Sequence, residues 1–189
     1  MRYLDFGKQF RTAWNDLKKI QGYIYSSFFI FIFIAILGYV FAGHLTFLDD
    51  LLKELIDRTA GLNTWELILF ILQNNLQTAF MAFVLGIFFG LFTILYASLN
   101  GLVLGYVFAK VIGEVGVLSL WRILPHGIFE LPAVFIALGL GLYLGSFVFS
   151  SHNGELKKRF LEGVNVFLFI VVPLLILAAV IEGLLIAFF

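Results

Sequence analysis

The chain has 189 residues, 62% of them hydrophobic, and a mean hydropathy of +1.05, well beyond the roughly half-apolar make-up of a soluble domain. Its 12 basic side chains balance 12 acidic ones, so no net field draws it to nucleic acid. With no cysteine, disulfide frameworks, thiolate metal sites and cysteine nucleophiles are excluded.

These properties predict an all-α, polytopic transmembrane helix bundle forming a single integral membrane domain over residues 1–189. In Met1 to Gly22, Leu4, Phe6, Phe10, Trp14, Leu17 and Ile20 recur at helical spacing, with Lys8, Arg11, Lys18 and Lys19 on other faces. This is the pattern of an interfacial amphipathic helix. The same 22 residues carry seven charges and no continuous apolar core, so a cleavable signal peptide is not expected. Tyr23 to Ala42 is free of charge for 20 residues, enough to cross a hydrocarbon core of about 30 Å.

The stretch from 45 to 61 reads as a second, acidic amphipathic helix outside the membrane, with Thr46 and Asp49 spaced as a capping box and Gly61 as its stop. A new helix is expected at Asn63, partnered by Glu66. Its apolar run is short and is interrupted by "QNN" at Gln73 to Asn75. If it dips in and returns or lies flat, the spans number five; if it crosses, six. Beyond it come an apolar run from Leu76 to Leu99, a turn signal at Asn100-Gly101 and a shorter run to Val117. A span over Ala133 to Ser150, the basic connection "HNGELKKRFLEG" and a last span over Val164 to Phe189 complete the chain. Five basic residues precede the first span and three lie in Ser151 to Gly163, against two between Gly43 and Asn63. That bias places the N-terminus of a multi-pass cell-membrane protein in the cytoplasm.

Ionisable groups inside a bilayer cost roughly 2.5–3.5 kcal/mol each and call for a reason. His126, Glu130 and Glu182 are the three in question. His126 and Glu130 lie one helical turn apart within "WRILPHGIFELPAVF", between Pro125 and Pro132. With Gly127 among them, the prolines predict a broken or re-entrant helix near Pro125–Pro132. The pair reads as a proton relay, cation or ligand site, or as a structural clamp for the broken helix. Glu182 in "LAAVIEGLLIAFF" reads as its partner, or as a hydrogen-bonded glutamate pinning the last helix. Asn74, Asn75 and Asn100, with Gln73 and Gln77, form a second polar group suited to bonds between helices. Lys110 and Glu114 are spaced for a helical ion pair. Gly86 with Gly90, Gly101 with Gly105, and Gly141 with Gly145 are spaced for close helix approach, within the chain more than between copies. His44 and His152 fall in surface connections, leaving no Ser-His-Asp set. No metal site, catalytic residue or cofactor is expected.

"PHGIFELPA", with "QNN" upstream, "NGLVLGYVFA" in the middle and "AAVIEG" near the end, resembles the stage II sporulation protein M family of integral membrane proteins, from about Phe70 onward. The resemblance implies a membrane scaffold that recruits peptidoglycan-degrading partners during engulfment and has no hydrolase domain of its own. The matching positions are Asn74, Asn75, Asn100, Pro125, His126, Gly127, Glu130, Pro132 and Glu182. The expected function is thus a non-enzymatic scaffold or subunit of a membrane complex. A transporter-like component with a polar site at His126, Glu130 and Glu182 is the second reading, and an intramembrane hydrolase on the same three residues the least favoured. The expected partners are the lipid bilayer, other membrane proteins and a second copy forming a homodimer, with no nucleic acid.

Overall fold

The computed structural model describes residues 6–118 and 124–188, with side chains except those of 124–126 and 186–188. Among these residues there are α-helices and no strand. Five segments are long and apolar enough to cross a membrane: Gln21–Val40, Thr64–Ile87, Leu91–Val115, Gly127–Phe149 and Glu155–Leu185. The architecture is a helical membrane bundle, and the count among the described residues is five.

Helix α1 (Phe6–Lys19) buries Ala13 and Asp16 and leaves Phe6, Phe10 and Trp14 exposed, one turn apart. Its small face packs on α7 (Glu155–Val166), and its aromatic stripe faces outward. The first span is α2 (Gln21–Val40). Helix α3 (Leu48–Thr59) follows, with Leu51, Leu55 and Ile56 exposed. The capping box expected at Thr46 and Asp49 is not formed. The helix begins without a side-chain cap, and the Asp49 carboxylate instead accepts a 2.6 Å bond from the Tyr106 hydroxyl.

Helix α4 (Thr64–Val84) opens as expected. Asn63 Oδ1 accepts from the N–H groups of Trp65 and Glu66 at 3.0 and 3.1 Å, and Glu66 Oε2 accepts from the Asn63 N–H at 2.9 Å. It neither dips nor lies flat, but passes unbroken through "QNN" as one span. Asn and Gln keep their backbone N–H, so the ladder survives them, unlike proline.

The reversal expected at Asn100-Gly101 lies instead at Leu85–Gly90, where Phe89 (φ 57°) and Gly90 (φ 74°) both enter the left-handed region. The Thr93 hydroxyl donates to the Ala82 carbonyl at 2.8 Å and braces the turn. Asn100-Gly101 sits inside α5 (Leu91–Val115), where the glycine serves packing. A Cβ there would lie 2.7 Å from the Phe31 carbonyl oxygen, and one on Gly105 would collide with that of Ala35. Successive glycines thus meet successive turns of α2, so α2 and α5 run parallel with their backbones in near contact, the most extensive helix pair in the bundle. Gly141 and Gly145 of α6 (Leu124–Gly145) admit the Leu85–Gly90 reversal in the same way. The small-residue pairs therefore pack the chain on itself, as anticipated.

The broken or re-entrant helix is not found, since α6 runs without interruption from Leu124 to Gly145 with Pro132 inside it. Pro125 falls in the first turn, where a missing N–H costs nothing, and Pro132 deletes a single ladder bond. The basic connection is also shorter than read. It ends at Gly154 (φ +83°), and Glu155 starts α7, the opening of the last span. A π-turn at Phe167–Val171 joins α7 to α8 (Val172–Phe188). There the Val172 N–H reaches back to the Phe167 carbonyl, one residue ahead of Pro173, whose missing donor explains the local widening. Helix α8 packs against both α4 and α6. The core between the helices is built from Phe83, Ala133, Ala137, Leu140, Leu144, Val171 and Leu175.

Candidate functional site

The unbroken course of α4 through "QNN" decides where the polar residues meet. Asn74, Asn75 and Thr78 from α4, Tyr96 and Asn100 from α5, and Glu130 from α6 line one small cavity of about 40 Å³, closed on its apolar side by Ala79, Ala82, Val134 and Leu138. Four residues singled out in the sequence, spread over 57 positions between Asn74 and Glu130, are brought together. The space suits one or a few water molecules and nothing larger.

The hydrogen bonding inside it is sparse. Asn74 Nδ2 donates to Asn75 Oδ1 at 3.4 Å, and Asn100 Nδ2 donates to the Tyr96 carbonyl at 2.8 Å, one turn back on its own helix. Among the described residues these are the group's side-chain hydrogen bonds, and Glu130 makes none. A half-buried carboxyl and three amides, those of Asn74 and Asn100 exposed, thus line one cavity with few hydrogen bonds among them.

Glu182 does not line the cavity. It lies on α8, which packs against α6, the helix that carries Glu130. The neighbouring Gly183 lets α8 close on Ile68 of α4. His126 and Pro125 fall in the first turn of α6, but their side chains lie outside the described ones, and so does the proposed contact of His126 with Glu130 or Glu182. A Cβ on Gly127 would meet the Leu131 side chain at an ordinary 3.6 Å, and Pro132 lines an apolar groove between α2 and α6 rather than the cavity. Among the described residues, no three His, Cys, Asp or Glu side chains are grouped as metal ligands.

A second polar constellation was not read from the sequence. Where α1, α6 and α7 converge, Arg159 donates to Glu155 Oε1 at 2.9 Å, to the Tyr143 carbonyl at 2.8 Å and to the Ser146 hydroxyl, and stacks over the Tyr143 ring at 4.7 Å. The Tyr143 hydroxyl donates to Glu162 at 2.6 Å, and Lys19 bridges Asp16 and Glu162 at 2.6 and 3.4 Å. The hydrogen bond of Lys19 to the Asp16 carboxylate raises the lysine above its usual range. Only "ELKKR", with Glu155 four residues before Arg159, hinted at it. On the opposite face, Lys110 pairs with Asp49 of α3 at 3.2 Å rather than with Glu114. The Tyr106 hydroxyl, then Lys110, hold the Asp49 carboxyl below its usual range. His44 and His152 are exposed, as expected of surface connections.

The family described as Stage II sporulation protein M matches residues 27–185, and the chain belongs to it. The match reaches back into α2, so the first span belongs to the shared region along with the helices from Phe70 onward. No curated protein and no solved structure matches the chain.

Proposed function

We propose that this member of the Stage II sporulation protein M family is a non-enzymatic scaffold or subunit of a membrane complex. The observation that carries the reading is the size of the polar cavity. At about 40 Å³ it is an order of magnitude below the roughly 300–1,000 Å³ of small-molecule sites. Two amphipathic helices also present faces for contact: α1 exposes Phe6, Phe10 and Trp14, and α3 exposes Leu51, Leu55 and Ile56. Lys8, Arg11, Lys18 and Lys19 on α1 and Lys157, Lys158 and Arg159 on α7 crowd one end of the bundle. The positive-inside bias supports a cytoplasmic location for that end, in a multi-pass protein of the cell membrane.

The second reading, a component that moves protons or cations, is favoured by one observation: Glu130 and Glu182 lie inside two spans that pack together, each without an ion-pair partner among the described residues. Reconstitution into vesicles of phosphatidylethanolamine and phosphatidylglycerol separates the two. A pH gradient and a potassium gradient should decay no faster with the protein than without it. Flux that rises with protein and falls at least tenfold in Glu130→Gln or Glu182→Gln would overturn the scaffold reading.

A further inference from the structure

Helix α4 carries polar groups on two sides at mid-depth. Asn74, Asn75 and Thr78 line the cavity, Asn74 being exposed as well, while Gln73 and Gln77 are exposed beside a different feature, an apolar groove of about 770 Å³ between α4 and the α7–α8 junction. Both lie within a turn of the midpoint of the Thr64–Ile87 span, where no water is at hand. Neither amide has a hydrogen bond among the described residues. An amide left facing hydrocarbon is costly, since each unmet donor or acceptor there loses a bond it would have had in water.

The residues around Gln73 are spaced as a coiled-coil seam. Leu69, Gln73, Leu76 and Phe80 are separated by four, three and four positions, the order d, a, d, a of a heptad. Leu69 and Phe80 are 62% and 44% exposed. One polar residue at an a position between leucines at d is the device that fixes register in two-stranded coils.

We propose that this stripe of α4 is the interface with a second copy of the chain. Two copies inserted the same way round can be related by a two-fold axis only if that axis runs along the membrane normal. Helix α4 then meets its copy in parallel and each residue faces itself. Self-pairing on such an axis demands a side chain that both donates and accepts, which an amide does and a lysine or carboxylate does not. Gln73 bonds to the Gln73 of the second copy, with Gln77 one turn along on the same side. A lipid acyl chain fills the groove but leaves both amides unmet, and for that reason it is the weaker occupant. The inference does not depend on the scaffold reading.

Because the natural chain has no cysteine, single cysteines report the interface directly. In vesicles of phosphatidylethanolamine and phosphatidylglycerol, Leu69→Cys and Leu76→Cys should form a disulfide-linked dimer on oxidation. Phe33→Cys and Ile36→Cys, on the exposed face of α2, should not. In a Leu69→Cys background Gln73→Leu should weaken association about three- to twentyfold, and Gln73→Asn should restore part of it. Equal cross-linking at the α2 positions, or a monomer by mass photometry at every protein-to-lipid ratio, would overturn the proposal. So would an interface indifferent to Gln73→Leu. Cross-linking of Leu69→Cys in native membranes only to a different protein would overturn it in favour of a heteromeric contact.

Discussion

At the end of the bundle where α1 meets α7, the charged side chains form a connected network: Arg159 alone engages Glu155, Ser146, the Tyr143 carbonyl and the Tyr143 ring, while Glu162 takes both Tyr143 and Lys19, although further along α7 the Asn165 amide nitrogen is buried without a partner among the described residues. In the cavity between α4, α5 and α6, Glu130 and the three asparagines share two side-chain hydrogen bonds among the described residues. The first region is explained by the fold, since its charges tie the surface helix α1 and the loop after α6 to the last span. The second is not, because Glu130 has no hydrogen-bond partner among the described residues and the two bonds of the asparagines are made by exposed side chains, which contribute little to stability. Conspicuous residues in a membrane sequence therefore divide by satisfaction in the structure, and function is better sought where satisfaction is missing.

The sharpest test of that division removes the hub of the paired region. Arg159→Ala strands the Tyr143 carbonyl and leaves Glu155 with only Lys158, at 3.6 Å, in a site where the arginine side chain is 12% exposed. It should cost about 2–3 kcal/mol of stability, read as a fall in the thermal unfolding midpoint in lipid nanodiscs. Arg159→Lys should recover only part of this, because an ammonium cannot reproduce a forked guanidinium. Glu130→Gln should stay within about 1 kcal/mol of the parent in the same assay, because it keeps the shape and breaks no existing bond. If Glu130→Gln proves the more damaging of the two, the cavity is a structural clamp and the division fails.

How far the sequence shows these two regions depends on whether a partner is local. The Asn63–Glu66 capping box is complete within four residues, and so it is legible. The five spans follow from apolar run lengths, although their limits shift, because the run from Leu76 to Leu99 hides a reversal in which a phenylalanine takes a left-handed conformation at position 89. Asn100-Gly101 misleads because glycine has two uses, turning a chain and letting helices touch, and only the neighbour at Phe31 tells which applies. Lys110 likewise has a candidate partner four residues away and takes one 61 positions distant. The asparagines and Glu130 stand out as costly, but their meeting in one cavity depends on α4 being a single helix, which "QNN" obscures. Pro125 and Pro132 suggest a break that a long, well-packed helix absorbs.

The smallest expected effect concerns the other tethered helix and tests whether pairing at a membrane surface behaves as it does at the α1–α7 end. Helix α3 is held to α5 through Asp49, whose carboxyl the Tyr106 hydroxyl, then Lys110, keep below the usual 3.8. A depressed carboxyl contributes stability above its unfolded value, and that contribution is lost as pH falls through the folded one. The tether should therefore be intact at neutral pH and loosen only below about pH 3.8. Hydrogen exchange at the α3 amides should accelerate in that window beyond the intrinsic pH trend, while the amides of α2 should not. Asp49→Asn should abolish the pH step and leave α3 exchanging faster at every pH. A step that survives in Asp49→Asn would move the tether to Asp50 or Asp57 and leave the Tyr106–Asp49 bond without a role in holding the helix.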